Sequence, residues 1–424
     1  MSPRDRRTRR RVAWIALLAS ATAACTGGSA GAPPTTAAPT TTVAPVPEER
    51  DGRLTIGLLL PTSDPVLGED LAAAADDAVD RINDAGGVLG QNVRVVLQDE
   101  NADEGSAADG IAALLDPSVE VDAVVGPTSS LAALSDLDAL VAAGVATCSP
   151  TATALALDDF PDDRLFFRTV PSDSLQAVAI ADLAERTGVQ QIAIAHVDDA
   201  YGRPFADAVA GALDAETRPA DAVQLFPFSR DGQLDSVAND VAESDAGVVV
   251  VIANADDGTA FLEALDDTNF GSIDDIVVND ALRSPAVAQR IEALDPAVRD
   301  LIRGVAPEAQ SNDPDRPYDP PGVFAAHAFD CVTLIALAAA SVRSDDPGEF
   351  ASQIPALTIS GRVCRSYESC VELLDDGLNI NYNGPDGITE LLVMGDPARA
   401  RFDVFRFDDT GRATFDQSIE ATSR

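Results

Sequence analysis

From residue 54 onward, short apolar runs alternate with amphipathic stretches. The run Leu54-Thr55-Ile56-Gly57-Leu58-Leu59-Leu60 is continuous and aliphatic, the pattern of a strand covered on both faces. Behind it Leu71, Ala75, Ala78 and Ile82 recur at spacings of four, three and four, which is one face of a helix, and Gly86-Gly87 closes it. The alternation continues with a strand over 93–97, a helix to Leu115, a strand over 121–125, a helix to Ala142 and a strand over 145–149. Successive βα units with buried strands predict a parallel, doubly wound sheet with helices on both faces.

After Phe166-Phe167-Arg168-Thr169-Val170 a second series begins. It reads as a helix over 174–186, a strand over 191–197, a helix carrying Phe205, Val209 and Leu213, and strands over 223–226, 248–253 and 276–278. So many strands exceed one ordinary domain, and two α/β lobes are expected. A long helix follows over 323–341, and 402–407 reads as a last strand.

The chain ahead of residue 53 breaks the pattern. Arg4 to Arg11 is basic, Val12 to Ala24 is apolar, and Cys25 follows the small pair Ala23-Ala24, so 1–24 is expected to be a cleaved signal peptide. This 13-residue stretch falls short of the roughly 20 apolar residues that span a bilayer. Thr22-Ala23-Ala24-Cys25 resembles a bacterial lipobox, with Thr22 where that motif has Leu or Val; the resemblance implies acylation of Cys25. Residues 25–52, rich in Thr, Pro, Ala and Gly, form a linker that cannot bury a core. The expectation is an extracytoplasmic protein, lipid-anchored to the outer face of the cytoplasmic membrane.

Charge narrows the function. The net charge is −41, from 29 basic and 70 acidic residues, and a polyanion has little to offer the phosphates of nucleic acid. Every basic residue is Arg, which removes Schiff-base chemistry and the P-loop lysine. The two histidines, His196 and His327, read as structural, no metal site or Ser/His/Asp triad is indicated, and no cofactor is expected. Cys364 and Cys370 lie six residues apart in a polar stretch and are expected to pair. Cys148 and Cys331 are either a second bridge or two buried thiols, with the bridge preferred.

In open α/β sheets ligands bind beyond the carboxyl ends of strands, where helix N-termini present free N–H groups. Three such ends are Gly126-Pro127-Thr128-Ser129-Ser130, Ser149-Pro150-Thr151-Ala152-Thr153 and Asp198-Asp199-Ala200-Tyr201-Gly202. Ser130 there is either an anion-binding hydroxyl at a helix start or an ordinary N-cap, and the two roles are compatible. Thr151 and Thr153 are either ligand groups or turn formers. These blocks, in order with Ile56 to Pro61, Ile82-Asn83-Asp84-Ala85-Gly86-Gly87, Val124-Val125-Gly126-Pro127, Phe167-Arg168-Thr169-Val170-Pro171 and Ala200-Tyr201-Gly202, resemble the branched-chain amino-acid-binding family of type I periplasmic binding proteins. The resemblance covers nearly all of 53–420, and the block from Cys364 to Cys370 with Ile380-Asn381-Tyr382-Asn383-Gly384 is similar to actinobacterial members.

That resemblance implies two doubly wound parallel-sheet lobes joined by hinge crossovers, lobe 1 being 53–171 plus 308–393 and lobe 2 being 172–307 plus 394–424. It implies a ligand α-carboxylate at Ser130, with Ser129 beside it, a strand-end loop of Thr151 and Thr153, Tyr201 reaching across the cleft, and Asp280 opposite the ligand ammonium. Asn254 and Ala255 stand where the family often has an aromatic, and Leu67 lies near the place of another ring, so the side-chain pocket should differ from that of a branched-chain receptor. The implied protein is a monomeric, non-enzymatic solute receptor for an amino acid or related carboxylate or amide, working with an ABC permease. A ligand sensor for a membrane signalling partner would have the same chain. An exported hydrolase would need two acids at fixed separation, and no motif supplies them.

Overall fold

The computed structural model describes residues 51–101, 107–213, 219, 221–229, 233–269, 271–308, 322–387 and 390–422. The expected signal peptide, Cys25 and linker residues 25–50 lie outside the described residues.

The first βα series forms a five-stranded parallel sheet from β1 (Thr55–Leu60), β2 (Arg94–Asp99), β3 (Ala123–Val125), β4 (Ala146–Ser149) and β5 (Phe166–Arg168), in the order β2-β1-β3-β4-β5. All six residues of β1 are buried, as a central strand covered on both faces requires. Helix Leu67–Asp84 buries Leu71, Ala75, Ala78 and Ile82 against one face of the sheet. Helix Ser130–Ala142 lies on the opposite face, with Leu137 and Leu140 in a separate apolar cluster.

The second series builds a seven-stranded sheet. Its parallel strands are β6 (Ile192–Val197), β7 (Val223–Phe228), β8 (Val248–Ile252), β9 (Asp275–Val278) and β10 (Ile302–Pro307). A short parallel pair, β11 (Arg362–Cys364) and β12 (Ile380–Tyr382), stands apart. The chain then returns as β13 (Arg399–Phe407) and β14 (Ala413–Thr422), an antiparallel hairpin on β10, which completes the order β14-β13-β10-β9-β8-β6-β7. The expected last strand over 402–407 is β13, and β14 carried no sequence signal because only Ile419 and Ala421 along it are buried. β7 runs two residues past its apolar pattern, through Pro227 to Phe228. It lies at the sheet edge, where a missing N–H is tolerated.

Helix Ala325–Val342 is long and apolar enough to cross a membrane, but 83% of that window is buried inside the protein. It packs with helix Leu67–Asp84 as the core of the first sheet's covering layer. Its Cys331 is bonded to Cys148 at the end of β4, with Cα atoms 5.7 Å apart, and Cys364 is bonded to Cys370.

The two bridges differ in the chain they close, 183 residues of separation against 6. Loop-closure entropy then places the unfolding cost of losing the first about 3 kcal/mol above that of losing the second. Guanidinium melts of Cys148→Ser/Cys331→Ser and Cys364→Ser/Cys370→Ser should show that order, and a reversed order would contradict the assignment.

Candidate functional site

The loops leaving the carboxyl ends of β1, β3 and β4 face those leaving β6, β8 and β9 across one cavity of about 340 Å3. All seven residues expected at a binding site line it: Ser129, Ser130, Thr151 and Thr153 from one sheet, and Tyr201, Asn254 and Asp280 from the other. The convergence is what doubly wound sheets produce at strand ends.

On the first sheet, the chain leaves β3 through Gly126 at φ +114°. A Cβ there would sit 2.2 Å from the Leu59 carbonyl oxygen, so only glycine fits. The loop is then held from below by Glu100, which is wholly buried. Its carboxylate accepts from Thr128 N at 2.8 Å, from Ser129 N at 2.7 Å and from the Thr128 hydroxyl. Burial pushes the Glu100 carboxyl up, and those three donors oppose the shift.

Ser129 is the N-cap of helix Ser130–Ala142, accepting from Ala132 N at 3.3 Å, so the cap that Ser130 might have supplied belongs to its neighbour. Ser130 Oγ instead accepts from Thr153 N at 3.1 Å and Ala154 N at 3.2 Å, which leaves its O–H to donate into the cleft. The Thr151 hydroxyl donates to Thr128 O at 2.6 Å and ties the two loops together. It is a structural tie as much as a lining group.

A guanidinium underpins this arrangement. Arg168, at the end of β5 and fully buried, donates from Nε to Asp396 at 2.7 Å and from Nη2 to Asp158 at 2.6 Å. Its Nη1 donates to the carbonyls of Ala152 and Ala154 at 3.3 and 3.2 Å, on either side of Thr153. Burial lowers the Arg168 pKa, but the two carboxylates outweigh it and the cation is held above its ordinary value.

On the second sheet, Asp199 Oδ1 accepts from Tyr201 N at 2.9 Å and Gly202 N at 2.7 Å, starting helix Gly202–Ala212. A Cβ at residue 202 would approach Val197 O to 2.3 Å, so glycine lets Tyr201 sit this close to the strand. The Tyr201 hydroxyl accepts from Asn279 Nδ2 at 3.0 Å, and Asn279 Oδ1 accepts from Ala253 N at 3.3 Å. Asp280 follows, almost wholly buried, with Oδ1 accepting from Gln176 Nε2 at 3.0 Å. Gln176 also donates to Val305 O at 2.7 Å. Burial pushes the Asp280 carboxyl up, and burial followed by the nearby Asp173 and Asp280 carboxyls pushes the Tyr201 phenol well up. Asn254 caps helix Ala255–Asp266 through Asp257 N at 2.9 Å, so its carboxamide is engaged in the helix start.

Among the described lining residues four are acids, Asp64, Asp70, Asp199 and Asp280, and none is cationic. The side wall is apolar, with Leu67, Leu131, Val323 and Phe324. Hydroxyls and helix-start N–H groups can hold a carboxylate, and a buried carboxylate opposite can hold an ammonium. No cluster suited to a metal ion occurs among the described residues. His196 bonds the neighbouring Val197 carbonyl at 3.0 Å, and His327 is buried with its imidazole pulled down to about 4 by desolvation. Glu100, Arg168, Asp173, Gln176 and Asn279 escaped sequence reasoning. Arg168 alone left a signal, as the one charge in an apolar strand run.

The family described as the receptor family ligand binding region matches residues 70–410. The chemotactic signal transduction system substrate-binding protein BasB of Halobacterium salinarum is 28% identical over 367 residues, 81% of this chain and 84% of that protein. The Leu/Ile/Val-binding protein BraC3 of Rhizobium johnstonii is 35% identical over 166 residues, 38% of this chain and 44% of that one. The crystal structure of the leucine binding protein LivK from Thermotoga maritima superposes with a TM-score of 0.69 at 16% identity, covering 86% of this chain and 98% of that one.

Replacing Arg168 with Met should cost about 3–5 kcal/mol in urea melts, since Asp158 and Asp396 lose the cation that compensates them. A loss below about 1 kcal/mol would show that the guanidinium does not anchor the loop.

Proposed function

We propose that this chain, which belongs to the receptor-family ligand-binding-region family in its branched-chain amino-acid-binding, type I periplasmic form, is the extracytoplasmic solute receptor of an ABC importer, binding an amino acid or close analogue between its lobes. The family is one of solute-binding and receptor domains, and the chain is not an enzyme. The observation that carries the reading is that residues from six strand ends on two separate sheets meet around one cavity.

In this reading the ligand α-carboxylate accepts from the Ser130 hydroxyl and from the N–H groups at the start of helix Ser130–Ala142, where the helix dipole favours negative charge. Thr153 lies beside it, Asp280 takes the ammonium, and Tyr201 closes over the ligand from the second lobe. Lobe 1 comprises 53–171 with 308–393 and lobe 2 comprises 172–307 with 394–424, with hinges near Val170, Ala306 and Met394. Closure about them buries the ligand and creates the surface a permease reads. Cys25 carries the lipid that keeps the monomer at the outer face of the membrane. The relative named for chemotactic signal transduction supports a second reading, in which closure is passed to a membrane signalling partner.

A thermal-shift screen of amino acids, amides, urea and short peptides should return an amino acid, with a stabilisation of about 2.7 kcal/mol at a hundred times Kd. Ser130→Ala with Asp280→Ala should weaken that ligand at least roughly 100-fold, the loss of a charged hydrogen bond and its partner site, in a chain shown by circular dichroism to be folded. Unchanged affinity in the double variant would remove these residues from the site.

A further inference from the structure

Between the loop of Thr151 and Thr153 and β5 the chain makes one turn of 3-10 helix, Leu155–Leu157. Residues of the first sheet and its loops clamp it at both ends. Ahead of it, Ala154 N donates to Ser130 Oγ at 3.2 Å and Ala154 O accepts from Arg168 Nη1 at 3.2 Å. Behind it, the Asp158 carboxylate accepts from Arg168 Nη2 and from the Ser172 hydroxyl, each at 2.6 Å. With about three residues per turn, positions i and i+2 of such a helix point to different sides. Leu157 is buried in the apolar cluster of Leu137, Leu140 and Phe166, on the first sheet. Leu155 packs instead against the cluster of Ile194, Phe205 and Val209, which belongs to the second sheet.

Tyr201 makes the reciprocal contact. It stands at the start of helix Gly202–Ala212, its ring edge-on to Phe205 with centroids 6.0 Å apart, within the second sheet's cluster. The same side chain packs against the first sheet's cluster, the one that holds Leu157. The turn Leu155–Leu157 lies directly against that helix. An apolar side chain from each sheet is thus seated on the core of the other. Tyr201 lines the cavity, and Leu155 is not among the described residues that do.

We infer that Leu155 and Tyr201 form a latch between the two lobes, and that Leu155 is a positioning residue that sets ligand affinity without touching the ligand. A contact that exists only while the two sheets stand together stabilises that arrangement whatever fills the cleft. A solute held from both sheets binds that arrangement, so its apparent affinity scales with the fraction of chains that occupy it. Leu155 therefore raises the affinity for all solutes by one factor and leaves the choice among them to the cavity, a role that rests on the proposed solute-receptor reading and extends it beyond the cavity lining.

The test compares Leu155→Ala, Leu155→Met and Leu157→Ala with wild type on the full chain. In small-angle scattering without any solute, Leu155→Ala should show a larger radius of gyration than wild type, and the volume-conserving Leu155→Met should match wild type. Identical curves for wild type and Leu155→Ala would overturn the latch, whatever solute the cleft takes.

In calorimetry, Leu155→Ala should weaken L-leucine and L-valine by the same factor, roughly tenfold for a partly buried leucine taken out of an apolar contact, with Leu155→Met close to wild type. A loss below about twofold, or factors for the two amino acids that differ more than about threefold, would overturn the inference, since the second result places Leu155 against the ligand. Leu157→Ala separates the latch from folding: it should lose more stability in urea than Leu155→Ala, and less affinity. A larger affinity loss in Leu157→Ala than in Leu155→Ala would also overturn it. Binding of neither amino acid by wild type would count against the amino-acid reading, and the scattering comparison would still decide the latch.

Discussion

One buried guanidinium organises the binding face. Arg168 ends β5 where the chain leaves the first sheet, and it reaches in three directions: to the loop carrying Thr153, to Asp158 and to Asp396. Asp158 in turn accepts from the Ser172 hydroxyl at 2.6 Å, and Ser172 caps helix Asp173–Glu185. Asp396 belongs to the segment that leads into β13, and Gly395 O accepts from Arg168 N at 2.9 Å. Two of the chain's passages between the sheets and one wall of the cleft thus share a single cation. A buried charge is tolerated only with such complete satisfaction, which makes the geometry around it rigid.

The same logic runs through the rest of the cleft. Its loops are shaped by ties that engage polar side chains within the protein: Glu100 under Thr128 and Ser129, Thr151 on Thr128, Asp199 under Tyr201 and Gly202, Asn254 on Asp257. The groups left to meet a ligand are few, and they are polarised by position. Helix-start N–H groups and the Ser130 hydroxyl stand on one side, and buried carboxylates on the other. With 29 arginines for 70 acids, and no lysine, cations are scarce, and among the described residues none lines the cavity. A ligand carboxylate must then be met by dipoles, and an ammonium by a true charge.

How far the chain could be read depended on the range of each interaction. Hydrophobic period is a local property, and it revealed the βα series because central strands such as β1 are buried on both faces and helices such as Leu67–Asp84 on one. Where burial was partial the signal failed, as in β14, and in the edge strand β7 it stopped at Pro227 although Phe228 beyond it is buried. The strand-end residues Ser130, Thr153, Tyr201 and Asp280 were legible because motif order places them beyond carboxyl ends, and parallel sheets put ligands there. Their hydrogen bonds were not legible. Ser129 rather than Ser130 became the cap, and the hydroxyl of Thr151 went to a carbonyl 23 residues away.

By itself, then, the sequence determined the fold class, since local pattern suffices for it, and motif order with the family resemblance marked seven of the residues that line the cleft. Only the tertiary structure decided that β13 pairs with β10 and β14 with β13, that Cys148 meets Cys331, and that Arg168 is bonded to Asp396. Most of those facts depend on contacts between residues far apart in the chain, 183 positions for the disulfide and 228 for the Arg168–Asp396 pair. Their energies come from burial and desolvation, which have no value until the chain has closed on itself.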